Sequence, residues 1–199
     1  MNNAPSPSDR PTAVLKAEHQ TILRVINVLE VLVRRSEGGA GFEVDALRRC
    51  VTFFRLFADA CHHAKEEDLL FPAMEARGVP REDGPIGVML YEHRIARQHT
   101  KSMADAIEAF DRDEPEAVAA FRAAAYQYID LLRNHIFKED NILFQMSDRV
   151  MTNDDQASLC SQFCEVGCRA FEGKTIEALS RIADELESAW LAGGDAATD

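Results

Sequence analysis

His62-His63-Ala64-Lys65-Glu66-Glu67-Asp68-Leu69-Leu70-Phe71 and His135-Ile136-Phe137-Lys138-Glu139-Asp140-Asn141-Ile142-Leu143-Phe144 are two versions of one pattern. In each, a histidine stands four residues before a glutamate, a second acid follows, and the run ends in Leu-Phe. Each is preceded by a Glu-His pair, Glu18-His19 and Glu92-His93, and the separations His19 to His62 and His93 to His135 differ by one residue. Recurrence of residue type, order and spacing marks a duplicated unit, and a duplicated helical hairpin builds a bundle with pseudo-twofold symmetry around a central site. On a helix, positions i and i+4 lie one turn apart on one face, so His62 with Glu66, and His135 with Glu139, point the same way.

Outward from these runs the pattern is helical throughout. Apolar residues recur at helical spacing over 11–35, ending in Ser36-Glu37-Gly38-Gly39. A second helix is expected over 44–75, kinked near Pro72 and stopped by Gly78 and Pro80. A third covers 86–110, and a fourth begins after a turn in which Pro115 suits the first helical position and runs to 150. Asp154 or Asp155 can cap a further helix reaching Ala170, and Gly173 separates it from a final amphipathic stretch, 175–191. No alternating strand pattern competes. The expected fold is all-α, an up-down-up-down four-helix bundle with additional C-terminal helices. Residues 1–10 read as a disordered tail, 11–150 as the bundle and 151–199 as a helical extension.

Composition narrows the function classes. The chain has 199 residues, 46% of them apolar and 28% charged, and carries a net charge of −12. Nucleic acid and anionic lipid are unexpected partners, since either requires a basic face. No apolar run is long enough to span a membrane, and the N-terminal residues lack the basic and apolar regions of a secretory signal, so a cytoplasmic protein is expected. Five cysteines without framework spacing agree with a reducing compartment. Cys160, Cys164 and Cys168 recur at i, i+4 and i+8; they read first as small buried apolar residues and alternatively as a thiol sensor or extra metal site.

The repeated units carry the chemistry. Six histidines and 34 acids place an acid four residues after a histidine about once by chance, yet His62, His63 and His135 all have one. Tyr128, Leu131, Leu132, Ile142, Leu143 and Met146 share the face of His135 and Glu139, so these ionisable groups are expected inside an apolar layer. Burying them without compensation costs several kcal/mol, on the order of 2–7 for a polar group, and a metal ion supplies the compensation. A bundle interior can surround a metal pair with imidazole nitrogens and bridging carboxylates. Taken alone, the run from Lys65 to Asp68 would read as a solvated helix face, and His99, which has no such partner, as a surface histidine.

These residues resemble the hemerythrin-like (HHE cation-binding) family, whose signature is a histidine, then His-x-x-x-Glu, then the same again. The resemblance covers roughly 11–146 and implies a hemerythrin-type bundle with a di-iron centre and an oxo or hydroxo bridge. It implies His19, His62, His93 and His135 as terminal ligands and Glu66 and Glu139 as bridges. Oxygen carriers of the family place His-x-x-x-His on the third helix, whereas here Arg97 stands four residues after His93. His63, about 100° around the helix from His62, can restore a total of five histidines. The register is open between His62 with Glu66 and His63 with Glu67; aligning Leu70-Phe71 with Leu143-Phe144 favours the first.

The resemblance implies binding of dioxygen or a related small oxidant, nitric oxide or peroxide, as carrier, sensor or scavenger. An apolar lining of Leu15, Ile22, Leu23, Leu69, Leu70, Ile142 and Leu143 suits such a ligand, with Tyr128 and Arg97 adding polarity. The alternatives are a di-iron oxidase or peroxidase, an iron-storage or repair protein, and a thiol-based redox or interaction module. Ferritin-like centres use Glu-x-x-His and four carboxylates, the reverse of the balance here. The stretch 175–191 either covers the bundle or forms a homodimer.

Overall fold

The computed structural model describes residues 10–38, 41–112, 114 and 116–191. Most of the N-terminal tail, Gly39 and Pro115 therefore lie outside the described residues. Among the described residues six helices make up the fold. Helix α1 is Pro11–Glu37. Helix α2 is continuous over 44–76: it is an α-helix over Val44–Phe53, widens to π geometry over Phe54–His63 and again over Glu66–Leu70, and closes as an α-helix over Phe71–Ala76. Helix α3 is Pro85–Asp111. Helix α4 runs as an α-helix over Ala117–Lys138, passes through a π turn at Glu139–Leu143 and ends at Phe144–Val150. Helices α5 and α6 are Asn153–Gly167 and Ile176–Trp190. Among the described residues the only β pairing is an isolated bridge between Phe171 and Lys174.

Helices α1 to α4 form the bundle, with α4 packed on both α3 and α1 and α6 laid along α1 and α2. The core is divided in two. One cluster, containing Val25, Leu29, Phe53, Phe54, Phe121 and Leu132, fills the end nearest α6. The other, containing Leu15, Leu70, Phe71, Leu143, Phe144 and Phe163, closes the opposite end. The histidines and glutamates of the repeat occupy the layer between these clusters and are buried. Apolar plugs above and below therefore exclude water from a polar layer.

Local differences from the sequence reading have physical causes. At Pro72, where a kink is expected, α2 departs from α geometry: a widened π turn just ahead of it accommodates the residue that lacks an N–H and crowds the preceding turn. The cap of α5 is Thr152, not Asp154 or Asp155: its hydroxyl accepts from the Asp155 N–H while the Asp155 carboxylate accepts from the Thr152 N–H, a reciprocal box. Helix α5 ends at Gly167, short of Ala170. Ile142, expected in the apolar lining, is 53% exposed, because the π turn at Glu139–Leu143 shifts the neighbouring residues around the helix.

Candidate metal centre

All seven residues singled out in the sequence meet in the central layer. Two groups of donor atoms lie there, each within 4.8 Å mutually: His63, Glu66, His93 and His135 in one, and His19, His62, Glu66 and Glu139 in the other. Of the two adjacent glutamates on α2, Glu66 is therefore the one inside. Glu67 turns outward, where its carboxylate accepts from His93 Nδ1 at 2.7 Å. Glu66 lies against His62 and His93 at 3.6 and 3.5 Å, and Glu139 against His135 and His19, both at 3.2 Å. Each carboxylate thus joins an imidazole of its own helix to one from a neighbouring helix.

The backbone repeats with the side chains. Glu66 and Glu139 each open a five-residue π turn, and such turns inside α-helices occur often at functional sites. The plugs repeat as well: Phe71 stacks on His93 with centroids 6.0 Å apart, and Phe144 stacks on His19 at 5.5 Å. The sequence repeat is therefore a spatial pseudo-twofold that relates α1–α2 to α3–α4.

Every central imidazole is held from outside by a carboxylate on its Nδ1. The partners are Asp140 for His19, Glu18 for His62, Asp59 for His63, Glu67 for His93 and Glu92 for His135, at 2.7 to 3.3 Å. A carboxylate accepts only, so the shared hydrogen is on Nδ1 and the Nε2 lone pair faces inward, the tautomer that metal ligation requires. Glu18 is further paired with Lys65, and Glu92 with Lys138. Arg97 bridges Asp59 and Glu67 at 2.7 Å each, fixing the supports of the stacked rings His63 and His93 together.

The inward atoms lack partners. His19 Nε2, His63 Nε2 and all four oxygens of Glu66 and Glu139 are buried without a hydrogen bond among the described residues. His93 Nε2 and His135 Nε2 face each other at 3.1 Å, two acceptors that only a proton or a cation reconciles. Electrostatics without a metal say the same. Burial and the neighbouring Glu139 push Glu66 well above the usual carboxylate range. Burial opposes ionisation of Glu139, but His135 and His19 prevail and hold it well below that range. Burial likewise works against protonation of His135, yet Glu139 and Glu92 raise it to about 9. Burial lowers His62 to about 4 and depresses His63 and His93, whose neutral rings are ready to donate. A layer of five imidazoles and two carboxylates, oriented inward and short of hydrogens, fits metal cations.

The family model of the hemerythrin HHE cation-binding domain matches residues 10–147. The chain belongs to this hemerythrin HHE family. Uncharacterised proteins of Mycobacterium bovis (Mb2018) and Mycobacterium tuberculosis (MT2051 and Rv1995) are 24% identical to it over 174 residues, spanning 85% of this chain and 66% of their own length. The chain thus spans just under two thirds of these relatives.

Several features of this HHE chain were not evident in its sequence. The repeated acids Glu18 and Glu92 were visible, but their work of holding His62 and His135 across the bundle was not. Asp59, Glu67 and Asp140 were missed as supports, although each lies one turn from, or next to, a residue of the motif. Within the run from Lys65 to Asp68, Asp68 is exposed but Lys65 and Glu66 are buried: Lys65 is only 2% exposed, against 34% for its counterpart Lys138, because Phe163 of α5 covers it. His99 lies outside the cluster, partly exposed on α3. Cys164 and Cys168, expected to be buried, are exposed, and Cys160 is half-buried; α5 instead buries Leu159, Phe163 and Val166. Among the described residues, no helix is long and apolar enough to cross a membrane.

Proposed function

We propose that this HHE chain holds two iron ions, one by His63, His93 and His135 and the other by His19 and His62, with Glu66 and Glu139 joining both, and that it binds dioxygen or a related small oxidant. The observation that supports this reading most is the set of five inward Nε2 atoms, each aligned by a carboxylate on Nδ1 and converging on two buried carboxylates. A bound iron pair would supply reversible electron donation to a small diatomic or peroxide ligand. The protein's part is to fix the rings and exclude bulk water. The outer carboxylates do the first and the two apolar clusters the second.

The two donor groups are unequal. Under the internal repeat, His63, Asp59 and Arg97 correspond to Ile136, Leu132 and Leu23. One group therefore has three imidazoles, while the other has two and an apolar neighbourhood, where Leu132 and Ile136 are buried. The group with fewer donors is the place for an exogenous ligand, and apolar surroundings favour a small uncharged molecule over water. The histidine-rich balance also argues against a ferritin-like oxidase, whose centre rests on four carboxylates. The test is to reduce the iron-loaded protein and titrate it anaerobically with dioxygen, nitric oxide and peroxide while recording the visible spectrum. A saturable change with at least one of the three is expected. A spectrum indifferent to all three would leave a metal protein without the proposed function.

A further inference from the structure

Cys160, Cys164 and Cys168 follow one another at single-turn spacing on α5 and its C-terminal cap, and the metal centre uses none of them. Their exposure separates them from the other two cysteines. Cys50 and Cys61 are buried in α2, whereas Cys164 and Cys168 are exposed and Cys160 is half-buried. Cysteine is among the residues most often buried, so two exposed thiols in adjacent turns are not accounted for by packing. Leu159, Phe163 and Val166 supply the packing of α5 from another face. Ser161, Glu165 and Arg169 around the two thiols are exposed as well, which leaves the sulfurs open to solvent.

The local geometry selects what this pair can hold. The Cys168 N–H donates to the Cys164 carbonyl at 3.0 Å, so the two residues stand at regular i, i+4 spacing on one helix face. Side chains so placed have Cβ atoms about 5–6 Å apart. A disulfide needs about 3.5–4.5 Å, and closing one would distort the end of the helix. A linear thiolate–metal–thiolate bridge with metal–sulfur distances of about 2.3 Å spans about 4.6 Å between the sulfurs, which this separation accommodates. The pair therefore suits a soft ion content with two ligands. Structural zinc takes four, and among the described residues the groups of three or more donors lie in the central layer, not on α5. Of the ions that thiolates select, monovalent copper fits two donors. The thiols also stand at the C-terminal end of α5, where the helix dipole favours a cation, on a chain of net charge −12.

We propose that Cys164 and Cys168 chelate one monovalent copper ion as a second metal site, distinct from the central layer. Each thiol releases its proton to solvent as its sulfur–copper bond forms, and the copper keeps its oxidation state. The test uses the full chain after anaerobic iron reconstitution, with thiols reduced and oxygen excluded, titrated with monovalent copper held by the coloured chelator bicinchoninate. The wild-type chain should withdraw one more copper ion from the chelator than the double variant Cys164→Ser, Cys168→Ser, with sulfur-to-copper absorption in the near ultraviolet. Either single variant should weaken that binding at least 100-fold, while Cys160→Ser should stay within twofold of wild type. Zinc should bind the pair at least 100-fold more weakly than copper. Copper taken up by the central histidines is common to all these chains and cancels, so a centre that fails to retain iron leaves the comparison intact. Equal copper uptake by the wild type and the double variant would overturn the proposal. So would a loss in Cys160→Ser as large as in the single variants, or zinc held as tightly as copper.

Discussion

At the scale of single residues the centre is a balance between burial and pairing. His135 and Glu139 illustrate it, since each is buried and keeps its charge in the metal-free protein through its neighbours, Glu139 and Glu92 for His135, and His135 and His19 for Glu139. Removing either is expected to lose at least one metal per chain: His135→Ala and Glu139→Ala should fall below the wild-type metal content by elemental analysis, whereas His99→Ala, remote from the cluster, should retain it. The pH response of the metal-free protein is set in part by His62. Its folded pKa of about 4 lies below the unfolded value of about 6.5. The unfolded chain therefore binds the extra proton first, and the stability contributed above pH 6.5 is lost as pH falls towards 4. His63 and His93, lowered by burial, act in the same sense, while His135 acts oppositely and loses its contribution as pH rises towards 9. Urea melts of metal-free protein across pH 4 to 9 should show decline at both ends. A stability that stays flat from pH 6.5 to 4 would contradict the burial of neutral histidines.

At the scale of the element, the repeat governs what each helix does. Its sequence signs, the spaced histidines and the Leu-Phe endings, made the bundle and the seven central residues legible, because i and i+4 on a helix leave little choice of face. The features that were not legible share a cause. The π turns at Glu66–Leu70 and Glu139–Leu143 have no signature in the residues, and they rotate the side chains of the turn relative to a regular α-helix, placing Ile142 outside. The facing of α5 is set by the elements it packs on, not by its periodicity alone, so Leu159, Phe163 and Val166 took the buried face from the cysteines. The supports Asp59, Glu67 and Asp140 depend on cross-bundle geometry that spacing does not encode. Two predictions belong here. Ile136→His, which gives the second donor group the third imidazole of the first, should keep both metals yet weaken azide binding at least tenfold in a spectroscopic titration. Thr152→Ala removes the cap of α5 and should cost about 1 kcal/mol in a denaturant melt.

At the scale of the whole molecule, two apolar clusters flank a polar layer that is incomplete without cations. Helices α5 and α6 lie against the bundle: Phe163 of α5 covers Lys65, and α6 braces α1 through the pairing of Arg24 with Asp184 and Glu187. Since metals bind the folded layer and no comparable set of donors is assembled in the unfolded chain, metal and fold are linked. Chelation should lower the melting temperature, and reconstitution should restore it. The most direct test of the centre is iron per chain after anaerobic reconstitution, read together with the near-ultraviolet and visible spectrum on exposure to air and azide. Two irons per chain with oxo-bridge charge-transfer bands that shift on adding azide are the expected result. Failure to retain iron, or iron bound without such bands, would contradict a di-iron centre at these seven residues.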